Sequence, residues 1–299
     1  MKPNQPKIAF IGLGLMGAPM ANLLLEAGFH LTIWNRSTAK LVPIIANGAE
    51  LAKTAVVAVK NADIVITMLQ NGQIVDDLLF NQNVANSMAS GSMLIDMSSI
   101  APSMAQDHGQ KLKSMGINYL DAPVSGGTHG AQAGNLVIMA GGDPLVFARA
   151  SAVFAVLGRA MLIGPTGSGQ LTKLANQTMV AITIAAVSEG LLLASAGGAD
   201  PALVRQCLLG GFADSRILKE HGKRMVEQNF TPGGPNKIFI KDLKTVLATA
   251  KQLNLDLPMV KFVLEAYIKM VDAGQGDLDH ASYILSLEAD NPPHKLIKN

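Results

Sequence analysis

The stretch K-I-A-F-I-G-L-G-L-M-G, residues 7–17, decides the fold of the first half of this chain. Four apolar residues lead directly into Gly12, Gly14 and Gly17, and a helix-type apolar pattern follows as far as Ala27. The order of strand, glycine turn and helix, with the spacing G-x-G-x-x-G, is typical of a dinucleotide-binding unit. A tight turn without a ligand is the alternative interpretation. The favoured prediction is a cofactor pyrophosphate on Gly12, Leu13, Gly14, Leu15, Met16 and Gly17.

Each glycine of this motif has its own physical task. The first permits the tight turn, the second lets the backbone approach the pyrophosphate, and the third lets the helix pack closely on the strand. The N-terminus of the helix offers N–H groups and a partial positive charge to the phosphates.

The composition predicts a globular protein with two domains of ordinary size. The chain has 299 residues, of which 49% are apolar and 15% are charged. Aromatic residues make up 4%, the formal net charge is +2, and no basic stripe stands out. These values argue against nucleic-acid binding, which needs a basic footprint and aromatic side chains for stacking.

The location is predicted to be cytoplasmic. Cys207 is the single cysteine, so an intramolecular disulfide is impossible, as is usual in a reducing compartment. The polar N-terminus is followed by too few apolar residues for a signal peptide. The most apolar stretch, residues 179–196, is interrupted by Ser188 and Glu189 and is interpreted as a buried core helix, so no membrane partner is expected.

The end of the second predicted strand, residues 29–34, favours NADP, with NAD possible. An acidic residue usually binds the ribose 2′-hydroxyl of NAD at this point, whereas an arginine accommodates the 2′-phosphate of NADP. The chain has no acid here and instead offers Asn35, Arg36 and Ser37 as hydrogen-bond donors. Alternatively, Arg36 is a solvated cation and Ser37 caps a helix over residues 37–46.

Strands and helices alternate through the first half, which predicts an α/β fold with a doubly wound, mainly parallel sheet over residues 1–163. Met68 and Leu69 end one strand at the crevice where such sheets bind ligands, so both are predicted cofactor contacts. Further strands are expected at 63–69, 93–97, 117–120, 136–140 and 160–163, with helices at 54–60, 102–115 and from 144.

Turn-forming residues at 164–169 mark a linker, and only helical patterns follow it. Residues 164–299 are therefore predicted to form an all-α domain that begins with an unusually long helix. The expected helices span 170–196, 201–208, 215–227, 239–253, 258–273 and 278–287.

Two stretches carry residue types suited to chemistry. The glycine-rich residues 121–134 directly follow a strand, and Ser125, Gly126 and Gly127 could form an anion nest for a substrate carboxylate. The alternative is a flexible connection without a ligand.

The second stretch, residues 167–177, places Lys173, Asn176 and Gln177 on one helix face. A lysine beside an amide can exchange a proton with a substrate hydroxyl. A solvated surface charge is the alternative interpretation. No histidine pair has metal-ligand spacing, so no metal site is predicted.

Together, these motifs resemble the β-hydroxyacid dehydrogenase family, which includes 3-hydroxyisobutyrate dehydrogenases, tartronate semialdehyde reductases and glyoxylate/succinic semialdehyde reductases. Residues 12–21 look like its cofactor motif, 121–127 like its substrate motif, 167–177 like its catalytic motif, and 241–243 like its later K-D-L motif. The resemblance covers essentially the whole chain. It implies a Rossmann domain, then an all-α domain, and assembly into a homodimer or homotetramer.

The resemblance also implies roles for individual residues. Lys173 would be the general acid/base, and Asn176 would help to hold the reacting oxygen. Ser125, Gly126 and Gly127 would bind the carboxylate of a small substrate. Ser99 stands where the family often has a threonine near substrate and cofactor, and Gln177 where many relatives carry asparagine. The K-D-L motif would contribute Lys241 to the cofactor site and Asp242 to the substrate site.

The implied reaction is hydride transfer between a nicotinamide cofactor and a small hydroxy acid or its semialdehyde or keto acid. Two alternatives share the fold. Imine reductases generally lack the lysine found here at Lys173, and a non-catalytic dinucleotide-binding module would need neither Lys173 nor Ser125.

Overall fold

The computed structural model describes residues 5–38 and 41–297. The chain divides into two compact units, Met1–Lys173 and Leu174–Asn299. The division falls within one continuous helix, Ser168–Ala196, whereas the sequence pattern changes earlier, at residues 163 and 164. The sequence composition changes where the linker begins. The contacts that separate the two units change only after Lys173, within the helix.

The first unit is built on one nine-stranded sheet. Six strands pair in parallel in the order β3-β2-β1-β4-β5-β6, as predicted for a doubly wound fold. β8 then pairs antiparallel with β6 and with β7, and β9 pairs parallel with β8. The strands are β1 Ile8–Ile11, β2 Leu31–Trp34, β3 Glu50–Leu51, β4 Ile64–Thr67, β5 Met93–Asp96, β6 Asn118–Asp121, β7 Val124–Ser125, β8 Leu136–Gly142 and β9 Gly158–Gly164.

Both faces of the central strands are covered, which explains their uninterrupted apolar sequences. In β1, Ile8 and Phe10 contribute to the core on one face, whereas Ala9 and Ile11 contribute to the core on the other. Alternate residues of a strand point to opposite faces, so a strand buried on both sides must be apolar throughout.

Helices connect these strands: α1 Gly17–Glu26, α2 Val42–Ala46, α3 Ala55–Val59, α4 Gly72–Asp76, α5 Pro102–Ser114, α6 Gly127–Ala133, α7 Pro144–Arg149 and α8 Ser151–Leu157. A π-helical turn, Asp77–Asn81, and a 3₁₀ turn, Ala85–Ser87, follow α4. The helix predicted over 37–46 is wrong at its start, because Ser37 and Thr38 are not helical and α2 begins at Val42. Residues 39 and 40 of that prediction lie outside the described residues.

The prediction of a glycine-rich loop over residues 121–134 also needs correction. The segment contains strand β7 and helix α6, and Gly134, which follows the helix, has the left-handed conformation. The small residues of α6 give no apolar periodicity, and glycine has low helix propensity, so local sequence could not reveal this helix.

The second unit is helical, as predicted. It contains the remainder of α9 (Ser168–Ala196), then α10 Pro201–Leu208, α11 Arg216–Val226, α12 Asn236–Gln252, α13 Pro258–Met270 and α14 Tyr283–Asp290. A π-helical turn, Val271–Gln275, and a 3₁₀ turn, His280–Ser282, precede α14. Phe239, Tyr267 and Tyr283 are fully buried large side chains of its core.

Helix α9 is long and apolar enough to cross a membrane by length and composition, and it alone passes this test among residues 5–38 and 41–297. Of its most apolar window, 39% is buried within the chain. Core helices of soluble proteins pass the same test, so this feature is weak evidence for a membrane span.

Candidate active site

The glycine turn after β1 has the geometry that the sequence motif predicts. Gly12 has φ +97°, and a Cβ there would lie 2.4 Å from the Met68 carbonyl oxygen. A Cβ on Gly17 would lie 2.0 Å from the Gly12 carbonyl oxygen, so only glycine lets α1 start so close to the turn. A Cβ on Gly14 would instead project into open space. The turn is therefore tight on its inner side and open where a pyrophosphate would approach.

Helix α1 begins beyond this turn without a side-chain cap on its N-terminus. Such an N-terminus suits an anionic ligand. Leu15, in the turn, is 75% exposed. Gly14 and the start of α1 thus fit a dinucleotide.

Asn35 connects the end of β2 to the glycine turn. Its Oδ1 accepts a hydrogen bond from the Leu13 backbone N–H at 3.0 Å, and its Nδ2 donates to the Ser37 carbonyl at 2.7 Å. The Asn35 side chain therefore shapes the turn, which the sequence did not indicate. Arg36 and Ser37 are exposed beside it.

The ends of β4 and β5 are joined by a buried polar network. Asp96 Oδ1 accepts hydrogen bonds from Thr67 Oγ1 at 2.8 Å and from the Ser98 backbone N–H at 3.0 Å. The Ser98 hydroxyl in turn accepts from the Leu69 backbone N–H at 2.9 Å. Burial raises the pKa of Asp96 to about 6, although these hydrogen bonds act in the opposite direction. The network fixes the segment at Met68 and Leu69, where a cofactor contact was predicted.

Asp121, at the end of β6, binds the start of α9. Its Oδ1 accepts from the Gly167 backbone N–H at 2.7 Å, and its Oδ2 accepts from the Gln170 backbone N–H at 2.8 Å. The carboxylate is fully buried. Desolvation raises its pKa to about 6, and the N–H donors oppose that shift.

Gln170 connects the same helix to the segment that contains Ser99. Its Oε1 accepts from the Ile100 backbone N–H at 3.0 Å, and its Nε2 donates to the Ser98 carbonyl at 2.8 Å. The fully buried Gln170 side chain thus hydrogen-bonds to the backbone on both sides of Ser99. Ser99 itself is half-buried.

The predicted carboxylate anchor lies between β7 and α6. Ser125 belongs to β7, and Gly126 and Gly127 have φ values of +135° and +61°. Gly126 also packs near Leu136, whose Cδ2 would lie 3.2 Å from an added Cβ. Ser125 and Gly126 are half-buried, and Gly127 is exposed.

Lys173 is half-buried on α9, the helix that Asp121 and Gln170 fasten to the sheet. It is the last residue of the first unit. Its position follows Gln170 by less than one helical turn, so the fastened segment and the lysine form one short rigid stretch.

The second unit contains a chain of polar contacts. Asn176 Nδ2 donates to Gln177 Oε1 at 2.9 Å, and Gln177 Nε2 donates to Asp242 Oδ2 at 2.6 Å. The other oxygen of Asp242 lies 3.1 Å from Lys241 Nζ. Both carboxylate oxygens of the buried Asp242 therefore contact neighbours within this unit.

Sequence reasoning did not identify Asp96, Ser98, Asp121 or Gln170 as functional candidates. Asp96 and Asp121 end adjacent strands in register, and a buried acid at such a position is a detectable signal. The two helix N–H groups that Asp121 binds, however, lie 46 and 49 residues further along the chain. Within the part of the chain that the structure describes, no group of three or more potential metal ligands occurs.

Family models cover almost the whole chain. Residues 7–167 match the NAD binding domain of 6-phosphogluconate dehydrogenase, and residues 167–287 match the NAD-binding domain of NADP-dependent 3-hydroxyisobutyrate dehydrogenase. The first model matches the part of the chain in which strands and helices alternate, and the second matches the part in which only helical patterns occur.

Relatives extend the match to full length. The chain is 42% identical to a 2-hydroxy-3-oxopropionate reductase of Escherichia coli over 94% of this chain and 97% of the relative. It is 32% identical to a probable mitochondrial 3-hydroxyisobutyrate dehydrogenase-like protein of Arabidopsis thaliana, over 97% and 87% of the two chains.

A solved structure agrees with this relationship. The 3-hydroxyisobutyrate dehydrogenase of Mycobacterium tuberculosis, solved with L-serine, superposes with a TM-score of 0.89 at 28% identity, over 95% of this chain and 99% of that one. Motifs, fold and relatives agree: the chain belongs to the β-hydroxyacid dehydrogenase family of NAD(P)-dependent oxidoreductases, which act on small hydroxy acids and their semialdehydes.

Proposed function

We propose that this protein is an NADP-preferring reductase that interconverts a small hydroxy acid and its semialdehyde, with Lys173 as the general acid/base. The proposal rests mainly on the hydrogen bonds that hold the start of α9, the helix with Lys173, against the ends of the strands. Asp121 and Gln170 hold the start of α9 against the segments that contain Ser99 and the predicted anchor.

NADP is the proposed cofactor because the 2′-phosphate on its adenosine ribose would meet hydrogen-bond donors just after β2. When bound, the nicotinamide supplies the hydride in reduction and accepts it in oxidation. Arg36 would pair with the 2′-phosphate through its planar guanidinium, and Ser37 would add a hydroxyl donor. Asn35 keeps one Nδ2 hydrogen for the cofactor, because the other donates to Ser37.

Lys173 moves the proton that accompanies the hydride. In reduction, its ammonium group donates a proton to the oxygen of the forming alkoxide, and in oxidation its neutral amine accepts that proton from the hydroxyl. Asn176 follows three residues later on the same helix face, where its amide would hold the reacting oxygen. The Asn176 side chain is oriented by Gln177, which Asp242 binds in turn.

The substrate carboxylate is proposed to bind at Ser125, Gly126 and Gly127, with Ser99 as a further donor. The Ser125 hydroxyl and successive N–H groups with positive-φ glycines suit an anion. Direct contacts of Lys241 with the cofactor and of Asp242 with the substrate stay predictions. The two carboxylate oxygens of Asp242 already contact Gln177 and Lys241.

The proposed substrate is 2-hydroxy-3-oxopropionate, which appears in the name of the Escherichia coli relative. It carries a carboxylate for the anchor and an aldehyde for reduction. Addition of one hydride to the aldehyde carbon and one proton to its oxygen yields 2,3-dihydroxypropanoate.

Assembly into a homodimer or homotetramer is also proposed. One face of α9 exposes a stripe of small and apolar residues, with the exposed Glu189 at its edge, and Met179 and Leu193 on it are 69% and 77% exposed. The stripe consists of Leu171, Ala175, Met179, Ala186, Gly190 and Leu193. Exposed apolar surfaces of this kind mark interaction sites. The cytoplasmic location stays a prediction.

The test is a reductase assay with purified protein. NADPH and NADH are each offered with 2-hydroxy-3-oxopropionate, succinic semialdehyde, methylmalonate semialdehyde or glyoxylate, and with a cyclic imine. Preferential NADPH oxidation with 2-hydroxy-3-oxopropionate supports the proposal. Turnover of the imine alone would instead assign the protein to the imine reductases.

A further inference from the structure

The backbone at the start of α9 is packed closely against the sheet. A Cβ on Gly169 would lie 2.3 Å from the Met139 carbonyl oxygen and 2.6 Å from that of Asp121. A Cβ on Gly141, in β8, would lie 2.8 Å from the Gly169 backbone nitrogen. Two glycines therefore allow the backbone of the helix to touch the strand ends directly.

At this contact, the buried carboxylate of Asp121 caps the start of α9. The first N–H groups of a helix have no partner within the helix, and a nearby anion stabilises them. Asp121 supplies both oxygens to this end of α9, although 46 and 49 residues separate it from Gly167 and Gln170. The cap comes from the strand that leads into the predicted substrate anchor, so it ties the helix to that particular strand.

Gln170 makes the second attachment from within the helix. Its amide binds the backbone at Ser98 and Ile100, which flank Ser99. One donor and one acceptor are used, so the side chain fixes both the distance and the rotation of the Ser99 segment relative to the helix.

We propose that Asp121 and Gln170 form a clamp that positions Lys173 for proton transfer and Ser99 for substrate binding. Neither clamp residue needs to contact the substrate. The clamp joins the end of β6, the segment after β5 and the first turn of α9 into one rigid unit, and Lys173 follows Gln170 within the same helical turn. The catalytic part of this inference rests on the proposed function of Lys173.

The first test uses Asp121→Asn, which removes the charge and places an amide donor against one of two N–H groups. The expected result is faster hydrogen exchange at residues 167–173, together with a decrease in kcat of about 10-fold to 100-fold, as expected for a misplaced catalytic group. The dissociation constant for NADPH should change less than kcat, because Asp121 binds the start of α9 and not the glycine turn.

Gln170→Met provides the second variant. It keeps the volume and the backbone N–H to Asp121 but removes both side-chain hydrogen bonds. It should lower kcat as well, and hydrogen exchange should rise around residues 98–100. If the two residues act as one clamp, the double variant loses less than the product of the two single losses.

Asp143→Asn is the matched control. Asp143 caps α7 in the same unit by accepting from the Leu145 N–H at 2.7 Å and the Val146 N–H at 3.3 Å. Its substitution should leave kcat and exchange at residues 167–173 unchanged.

The clamp is overturned if exchange at residues 167–173 and kcat both stay at the level of the unchanged protein in Asp121→Asn and Gln170→Met. It is also overturned if Asp143→Asn lowers kcat equally, because the loss would then be a general effect of a missing cap. Failure of the proposed function gives a different pattern: Lys173→Ala keeps its activity while exchange at residues 167–173 still rises in Asp121→Asn.

Discussion

Gln177 donates a hydrogen bond of 2.6 Å to the buried carboxylate of Asp242, and the Gln177 oxygen accepts from Asn176. The glutamine, which stands where many relatives are expected to have asparagine, is thus an intermediary between Asp242 and Asn176. Asp242→Asn weakens this chain, since one oxygen becomes a donor and the charge opposite Lys241 is lost. We expect kcat to fall while NADPH affinity is retained.

The measurement for Asp242→Asn is steady-state kinetics with an independent NADPH titration. Asp256→Asn serves as control, because Asp256 forms an exposed ion pair with Lys261. Such pairs contribute little. Unchanged kcat in Asp242→Asn would show that the contact with Gln177 does not orient Asn176.

Gly14 and Gly17 should respond differently to alanine. A methyl group on Gly17 collides with the Gly12 carbonyl, so Gly17→Ala should lower both thermal stability and NADPH affinity. The methyl group of Gly14→Ala meets nothing within 4 Å apart from its own chain neighbours, so this variant should fold normally. It should still lose NADPH affinity, because the methyl group occupies the approach to the backbone. Normal NADPH binding by Gly14→Ala would place the pyrophosphate elsewhere.

Arg36→Ala should reduce the preference for NADPH over NADH. Charge-assisted hydrogen bonds contribute about 1.5–3 kcal/mol, so the dissociation constant for NADPH should rise roughly 10-fold to 100-fold while that for NADH changes little. Fluorescence titration with both cofactors measures the two constants, and Lys60→Ala controls for a general loss of positive charge. Equal weakening of both cofactors would contradict contact with the 2′-phosphate.

Asp96 gives a stability prediction with a defined sign. Burial raises its pKa from 3.8 to about 6, so the folded state binds this proton more tightly than the unfolded state. The ionisation of Asp96 therefore lowers the free energy of unfolding as pH rises from about 4 to 6, by roughly 3 kcal/mol at 1.36 kcal/mol per pKa unit.

Asp96→Asn removes this titration. The stability of the variant relative to the unchanged protein should therefore improve between pH 4 and pH 7, as measured by urea unfolding at each pH. Asp63→Asn, at a mostly exposed hydrogen bond to Lys7, is the comparison. A difference that does not vary with pH would contradict the raised pKa of Asp96.

The exposed stripe on α9 predicts how assembly responds to charge. Met179→Lys combined with Leu193→Lys should dissociate the oligomer, because an interface core cannot bury two unpaired ammonium groups. Light scattering during size-exclusion chromatography reports the mass. Leu203→Lys, at an exposed residue of α10, should leave the mass unchanged. A monomeric protein before substitution would remove the basis for this prediction.

The sequence predicted the elements that have strong local patterns. β1, β4 and β5 are continuous apolar runs between turn-forming residues, and G-x-G-x-x-G identified the turn before α1. The two-residue strands β3 and β7 have too few residues for any periodicity, and α6 contains no large apolar residue. Their formation depends on contacts with the rest of the sheet.

The candidate site was predictable as residues but not as a network. Lys173, Ser125 and the glycines stand in recognisable motifs, whereas Asp121 and Gln170 act through partners at 46 to 72 residues' separation. Nothing in local sequence pairs a strand-ending aspartate with a particular helix start. The same applies to Asn35, whose predicted contact was the cofactor but whose amide also shapes the glycine turn.

The most direct test of the central claim is the kcat of Lys173→Ala with NADPH and 2-hydroxy-3-oxopropionate, measured with and without added methylamine. If Lys173 transfers the proton, kcat falls about 10²-fold to 10⁴-fold, NADPH affinity stays near that of the unchanged protein, and methylamine restores part of the rate. A variant that retains full kcat without the amine would contradict the assignment of Lys173 as the general acid/base.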